Sequence, residues 1–219
     1  MRLIAHRGFA TVSPENTIEA VRSAATYADA VEFDVRRCGS GELVVVHDET
    51  IDRVTDGTGL VADTTFETLE SYTVLDSKER IPTLEGMLDA VPPDVEVNLE
   101  LKDLGIAADV LDVIADVENR VVTTSFLEPE LRRIRGLDRT QPTGLLVSRR
   151  LASPVTTAVE LGCDVIGANY WRCLTTRLVP RAKAVDLEVH AWSIERQLTA
   201  TLLGLRGVDC VSADRPIPV

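Results

Sequence analysis

Short segments rich in β-branched residues alternate with helical patterns along the whole of this chain. Such alternation is typical of a parallel sheet whose faces are covered by helices. The pattern predicts nine strands, at residues 3–7, 30–36, 43–47, 95–101, 121–126, 143–148, 164–169, 188–193 and 208–212. Apolar spacing predicts helices between them, among them those over residues 15–27, 83–90 and 106–117. Ser13-Pro14 is predicted to begin the first of these helices, and Thr83 the second.

Nine strands are one more than an eight-stranded barrel contains. The second and third predicted strands are separated by residues 37–42, which are too few for a helical crossover and include two glycines. Two strands joined in this way are typical of a β-hairpin. We therefore predict an α/β fold with one domain over residues 1–219. It is a (β/α)8 TIM barrel with a hairpin arm, at about residues 36–48, over its C-terminal mouth.

The hairpin also predicts which side chains meet. A turn centred near residues 39–41 places Glu32 and Asp34 opposite residues 46–48, so that His47 returns beside the two carboxylates. Barrel enzymes build their active sites at the C-terminal ends of the strands. Polar or aromatic residues fall at or near those ends, namely His6, Glu32, Asp34, Glu100, Lys102, Ser125, Tyr170, Trp192 and Asp214.

Three carboxylates suggest a metal site. Glu32 and Asp34 share one face of their strand because side chains alternate with a period of two, and Glu100 is on the next barrel strand along the chain. Carboxylate oxygens suit a hard cation, Mg²⁺ or Ca²⁺, better than Zn²⁺. The alternative is a barrel without a metal in which the carboxylates form salt bridges to Arg36, Arg37 or Lys102.

The histidines suggest phosphate chemistry. His6-Arg7-Gly8 combines a proton-transfer group with a guanidinium that matches two phosphate oxygens, and Gly8 is expected to let the backbone approach a ligand. A lone histidine is more commonly a buried, hydrogen-bonded one. Two histidines at one mouth, His6 and His47, can act as acid and base near neutral pH.

Other segments near the predicted mouth are less specific. We expect His190 to be structural, nearer the barrel interior, and Trp192 to form an apolar wall of the mouth. The polar loop over residues 52–59, with two glycines, comes shortly after His47. Such runs are commonly ordinary turns, but next to a phosphate site this one could orient His47.

Composition limits the partners and the location. The formal charge of −12 disfavours binding to nucleic acid or to an anionic membrane. Only three of the 23 basic residues are lysines, and this acid-rich, lysine-poor composition is similar to that of halophilic proteins. The four cysteines form no C-x-x-C pair, so we expect reduced thiols rather than a metal site. No signal-peptide pattern is visible at the N-terminus, and we expect a soluble, cytoplasmic protein.

A series of motifs follows one another along the chain: His6-Arg7-Gly8, Pro14-Glu15-Asn16-Thr17, Glu32-Phe33-Asp34-Val35, Val46-His47-Asp48, Asp52-Arg53 with Gly57-Thr58-Gly59, Ile81-Pro82-Thr83-Leu84-Glu85, Glu100-Leu101-Lys102, Ser125-Phe126 and Trp192. In kind and order they resemble the motifs of the glycerophosphodiester phosphodiesterase family. The resemblance extends from residue 3 to Asp214-Arg215-Pro216, which is essentially the whole chain. Departures from the family pattern are Val54, where threonine is frequent, and the segment Val211-Ser212-Ala213 before Asp214.

The resemblance implies an enzyme that hydrolyses glycerophosphodiesters to glycerol phosphate and an alcohol with a divalent cation. It implies that His6 and His47 are the acid–base pair. It further implies metal ligation by Glu32, Asp34 and Glu100, and phosphate contacts from Arg7 and Lys102. Which histidine is the acid, and whether water or the substrate's own hydroxyl attacks, stay open at this point.

Two alternatives remain. One is a phospholipase-D-like or phosphoinositide-type phosphodiesterase of the same superfamily, which is disfavoured because only 4% of the residues are aromatic and no basic cluster is visible. The other is a barrel that binds a phosphorylated ligand without catalysis. It is disfavoured because both histidines and all three carboxylates are present.

Overall fold

The computed structural model describes residues 1–148 and 151–219, in which strands and helices alternate. The strands are β1 (Arg2–His6), β2 (Ala30–Arg37), β3 (Leu43–Val45), β4 (Glu96–Leu101), β5 (Val121–Ser125), β6 (Thr143–Val147), β7 (Val165–Asn169), β8 (Glu188–Ile194) and β9 (Cys210–Ala213). The helices are α1 (Ile18–Ala24), α2 (Phe66–Leu69), α3 (Leu84–Leu88), α4 (Ala107–Ile114), α5 (Glu128–Leu137), α6 (Pro154–Leu161), α7 (Tyr170–Thr175), α8 (Leu178–Lys183) and α9 (Gln197–Leu205), with a 3₁₀ turn at Val61–Asp63.

Eight of these strands close into a parallel barrel. Neighbours pair in the order β1-β9-β8-β7-β6-β5-β4-β2, and β1 also pairs with β2, which completes the ring. The strands are buried along almost their whole length, as expected where helices cover the outside of a parallel sheet. The prediction of a (β/α)8 barrel is confirmed.

The remaining strand, β3, forms the predicted hairpin arm. It runs antiparallel to β2, with Val35 opposite Val45. On the other edge of β2, Val35 pairs with Leu101 of β4. The pairing of β1 with β2 ends at Glu32, and β3 occupies the same edge of β2 beyond that point. The backbone N–H of Val46 donates to the Asp34 carbonyl at 3.0 Å. His47 therefore returns beside the β2 carboxylates, as the turn position predicts.

The segment that follows the arm packs around a small core of its own. This second apolar cluster consists of Cys38, Val44, Val46, Ile51, Val54, Val61, Leu69, Val74 and Ile81. Val54 is 4% exposed within it, and its carbonyl accepts from the N–H of Leu75 at 2.9 Å. Burial among apolar side chains explains why valine fits at this position, where the family frequently has threonine.

The first helix begins later than predicted. α1 starts at Ile18 rather than at residue 15, and its N-cap is Thr17, whose hydroxyl accepts from the Ala20 N–H at 3.2 Å. Asn16 has φ +59°, a left-handed conformation that a helix cannot contain. The predicted role of Ser13-Pro14 in starting the helix was therefore wrong, because residues 13–16 form a loop. The Thr83 cap is confirmed, since its hydroxyl accepts from the Gly86 N–H.

The helices are short. The longest in the described part of the chain, α5, has 10 residues, whereas crossing a bilayer takes roughly 20. No described helix is long and apolar enough to span a membrane.

Candidate active site

A cavity of about 300 Å³ opens at the C-terminal end of the barrel. Its wall includes seven of the eight site residues predicted from the sequence, namely His6, Arg7, Glu32, His47, Glu100, Lys102 and Trp192. The eighth, Asp34, is fully buried and hydrogen-bonded across the same end of the barrel. The cavity continues into the barrel interior as far as Asn98 and His190.

The three carboxylates converge. Asp34 pairs with Glu100 across β2 and β4, while Glu32 lies two residues before Asp34 on the same face. One oxygen from each lies within 4.8 Å of the others. Lys102 Nζ donates to Glu100 Oε1 at 2.7 Å and lies 3.4 Å from Asp34 Oδ1. Two neighbouring cations, Arg7 and Lys102, thus face three carboxylates.

The trio fits a divalent cation. Asp34 Oδ1 is buried and has no hydrogen-bond partner among the described residues, so one oxygen is left for a ligand. Of the alternative salt bridges, Lys102 does form those to Glu100 and Asp34, whereas Arg36 and Arg37 bind Asp103 and Asp109 instead. An all-oxygen donor set of this kind suits Mg²⁺ or Ca²⁺.

Burial and like charge shift the protonation of the trio. Burial, together with the charges of Asp34 and Glu100, raises the pKa of Glu32 to about 7. Burial and the charge of Asp34 also raise the pKa of Glu100. The pKa of Asp34 is lowered, because Lys102 and Arg7 outweigh its burial. Carboxylates crowded in this way keep their ionised forms more readily when a cation lies among them.

The two histidines have the same arrangement. His6 Nδ1 lies 2.6 Å from Asp214 Oδ1, and His47 Nδ1 lies 2.6 Å from Asp48 Oδ1. A carboxylate on Nδ1 fixes the ring and leaves Nε2 for chemistry. His6 Nε2 lies 3.9 Å from Glu32 Oε2.

The electrostatic surroundings of the two imidazoles differ. Burial opposes the charged form of His6, but the charge of Glu32 and the hydrogen bond with Asp214 outweigh it and raise the pKa of His6. Burial lowers the pKa of His47, and the favourable charge of Asp34 only partly offsets it. The site thus contains two imidazoles of different basicity.

Arg7 is held close to the carboxylates. Its backbone N–H donates to Glu32 Oε2 at 2.9 Å, and its Nε lies 3.2 Å from Asp34 Oδ2. Gly8, at φ +73°, is required for packing, because a Cβ there would lie 2.7 Å from the Ala20 Cβ on α1. The approach of its backbone to a ligand stays a prediction.

The predicted apolar wall is present. Trp192 lies edge-on against Phe126, with ring centroids 5.9 Å apart. Ser125 is buried and donates to the Leu101 carbonyl at 2.7 Å, so it serves the barrel rather than the cavity.

His190 belongs to a separate polar group near the N-terminal ends of the strands. Its Nε2 lies 2.9 Å from Glu188 Oε1, and the same oxygen accepts from Cys210 Sγ at 3.2 Å. Arg2 also pairs with Glu188. Glu188, His190 and Cys210 together offer ligand atoms that could hold a metal ion. However, the shared oxygen already has three partners, which agrees with a structural role for His190.

Sequence reasoning gave no individual role to four residues that contact the predicted ones. Asp48 adjoins His47 in sequence, so it could have been found by looking for a carboxylate beside each histidine. Asp214 is 208 residues from His6, and only the closure of the barrel brings the two together. The other two are Glu15, which contacts Arg7, and Asn16, which contacts Asp34. Arg53, in the loop that could orient His47, contacts Asp48 and Glu15.

Comparisons with known proteins agree with this geometry. The sequence profile described as the glycerophosphoryl diester phosphodiesterase family matches residues 6–217. A glycerophosphodiester phosphodiesterase from Caldanaerobacter subterraneus subsp. tengcongensis is 31% identical over 229 residues, which cover 98% of this chain and 94% of that protein.

Solved structures share the fold. A phosphodiesterase from Oleispira antarctica, in complex with the product sn-glycerol-3-phosphate, superposes with a TM-score of 0.90 at 26% identity, over 99% of this chain and 94% of that one. A glycerophosphodiester phosphodiesterase from Agrobacterium tumefaciens superposes with a TM-score of 0.88 at 23% identity, over 99% of this chain and 97% of that one, and supports the fold alone. The chain belongs to the glycerophosphoryl diester phosphodiesterase family, the enzymes that hydrolyse glycerophosphodiesters.

Proposed function

We propose that this chain carries out glycerophosphodiester hydrolysis at the C-terminal mouth of its barrel, with His6 and His47 as the acid–base pair. The observation that carries the proposal is that both imidazoles line one cavity with Glu32 and Glu100. Each imidazole has its Nδ1 occupied by a carboxylate and its Nε2 available. Such an arrangement suits proton transfer to and from oxygen atoms near neutral pH.

We assign Glu32, Asp34 and Glu100 as the ligands of a divalent cation, Mg²⁺ or Ca²⁺. The support is their convergence within 4.8 Å and the buried oxygen of Asp34 that accepts no hydrogen bond from the described residues. Such a cation supplies charge neutralisation at a phosphate oxygen as the transition state forms.

The substrate is expected to bind through its phosphate to Arg7 and Lys102. Both line the cavity, and they bring positive charge to a protein whose formal charge is −12. Local cations dominate because the field of distant charges is screened beyond about 8 Å at physiological salt. Trp192 provides an apolar wall. The glycerol phosphate bound to the Oleispira antarctica relative supports glycerol phosphate as a product here.

In the reaction, one histidine accepts a proton from the nucleophile at its Nε2. The other donates its Nε2 proton to the oxygen of the leaving alcohol. Asp48 and Asp214 hold the two rings by their Nδ1–H groups and stabilise the imidazolium that forms during transfer.

A panel of substrates tests the proposal. Glycerophosphocholine, glycerophosphoethanolamine, glycerophosphoglycerol and lysophosphatidylcholine are each incubated with Mg²⁺, with Ca²⁺ and with a chelator, and the products are followed by phosphorus NMR. We expect glycerol phosphate from the deacylated diesters with a cation, and none with chelator. Faster cleavage of lysophosphatidylcholine would instead favour a phospholipase-D-like enzyme. No turnover of any diester would favour a barrel that only binds phosphate.

Composition and the state of the cysteines support a proposed location and a proposed salt environment for the protein. All four cysteines are unpaired and buried, which supports a reducing compartment and hence a cytoplasmic protein. The charge of −12 and the three lysines support a halophilic source and argue against nucleic acid or membrane as partners.

A further inference from the structure

Two motifs that have no role in the reaction described above meet at the edge of the site. Glu15 comes from the loop before α1, and Arg53 comes from the loop that follows His47. Arg53 donates from its two terminal nitrogens to the two oxygens of Glu15, at 2.7 and 2.8 Å. This is the fork-to-fork geometry in which arginine binds a carboxylate most strongly.

Both partners of this pair also contact residues of the proposed machinery. Arg53 Nε donates to Asp48 Oδ2 at 2.5 Å, and Asp48 Oδ1 holds His47 Nδ1. Glu15 Oε1 accepts from Arg7 at 2.9 Å. A continuous series of contacts thus runs from His47 through Asp48, Arg53 and Glu15 to Arg7, the residue next to His6.

We propose that the Glu15–Arg53 pair is a clasp that holds the His47 imidazole in its working orientation, and that both are positioning residues. The inference rests on the proposed role of His47. The backbone of His47 is held separately, because its carbonyl accepts from Arg36 Nε at 2.9 Å. Asp48 is the direct contact of the ring, and within the described chain Arg53 is the side chain that ties Asp48 to the barrel.

The clasp is better suited to orientation than to stability. The Arg53 side chain is 48% exposed, so its removal disturbs the fold less than removal of a buried charge would. Glu15 is buried, so its carboxylate offers a fixed anchor for the more exposed arginine. A small misplacement of a catalytic group can lower a rate by about two orders of magnitude.

The test compares Arg53→Met, Arg53→Lys and the control Arg22→Met in the full chain, with glycerophosphocholine and a saturating cation. Arg22 is exposed on α1, away from the clasp. For Arg53→Met we expect kcat to fall about 10- to 100-fold, with KM and cation affinity changed less than about 3-fold. Arg53→Lys keeps the charge but loses the fork, so it should recover only part of kcat. Arg22→Met should behave like the wild type.

A double mutant separates positioning from a general structural effect. If Arg53 acts through Asp48, the loss in Asp48→Asn/Arg53→Met should be close to the loss in Asp48→Asn alone. A kcat of Arg53→Met within about 2-fold of wild type, or losses that simply add, would overturn the clasp. Failure of the proposed role of His47 is distinguishable, because His47→Ala would then keep near-normal activity, as Arg53→Met would.

Discussion

Asp34 and Glu100 occupy directly paired positions on the neighbouring parallel strands β2 and β4. Their pairing is a consequence of barrel register, and it places two buried acidic side chains next to each other at the end where the arm returns. Two like charges at adjacent positions of a buried sheet are unfavourable unless a counter-charge lies between them. Lys102 and Arg7 supply part of that counter-charge. The negative charge that these cations leave unbalanced is the basis for the proposed cation site.

Removing one ligand should weaken cation binding. In Glu100→Gln we expect the affinity for Ca²⁺ or Mg²⁺, measured by titration calorimetry, to fall at least about 10-fold, because one anionic oxygen is lost. Glu96→Gln is the matched control, since Glu96 lies on the same strand but pairs with Arg2 and Arg120. An unchanged affinity in Glu100→Gln would remove it from the ligand set.

Removing either imidazole should remove most of the activity. His6→Ala and His47→Ala should each lower turnover by about 10²- to 10⁴-fold, the usual contribution of a general acid or base. Circular dichroism and thermal unfolding check that the barrel is intact. Near-normal turnover in either variant would contradict the acid–base pair.

Asp214, which is hydrogen-bonded to His6, should also contribute strongly to turnover. Asp214→Asn places an amide on Nδ1, so the ring loses its charged partner and its preferred tautomer. We expect kcat to fall about 10²-fold with KM little changed. Asp209→Asn is the control, because Asp209 binds Lys183 beyond the other end of the barrel. Equal kcat values in the two variants would show that Asp214 does not orient His6.

Acid stability tests the polar group at the N-terminal end. The hydrogen bond from His190 outweighs burial and lowers the pKa of Glu188 to about 2, from its usual value of 4.5. A carboxyl with a lowered folded pKa stabilises the protein above pH 4.5, and this stabilisation is lost as the pH falls towards 2.

Urea unfolding of the wild type and of Glu188→Gln measures this contribution. At pH 7 we expect the variant to be less stable by about 1–2 kcal/mol, allowing for partial exposure of the side chain. The difference should narrow between pH 4.5 and about 3. A difference that is independent of pH would show that the Glu188 charge does not contribute.

Salt should stabilise the chain. With 35 acidic and 23 basic residues, like-charge repulsion is strong at low ionic strength and is screened as salt is added. We expect the melting temperature to rise from low to molar NaCl. A flat response would contradict the proposed halophilic source.

Local patterns predicted the elements that depend on local physics. The short connection between β2 and β3 was enough to predict the hairpin, because antiparallel pairing then follows residue by residue. The start of α1 was predicted wrongly, because Glu15 and Asn16 are drawn out of the helix by ionic and hydrogen-bonded partners that lie far away in sequence. The close approach of Gly8 to Ala20 likewise depends on packing that no local pattern contains.

The residues of the site likewise divide into those that local sequence patterns predict and those that only the tertiary structure brings together. The proximity of Glu32, Asp34 and His47 could be predicted, because strand alternation and a short turn fix where these side chains lie relative to one another. Asp214 could not be assigned to His6, since their contact depends on the last strand closing against the first. Long-range ion pairs such as Glu15–Arg53 require the tertiary structure for the same reason.

The most direct test of the central claim is the position of the bound cation. Crystals grown with Mn²⁺ and glycerol phosphate would locate the metal by its anomalous scattering. We predict a peak about 2.0–2.5 Å from oxygens of Glu32, Asp34 and Glu100, with the phosphate between the metal and the Nε2 atoms of His6 and His47. A peak at Glu188, His190 and Cys210 instead, or a phosphate away from both imidazoles, would contradict the account.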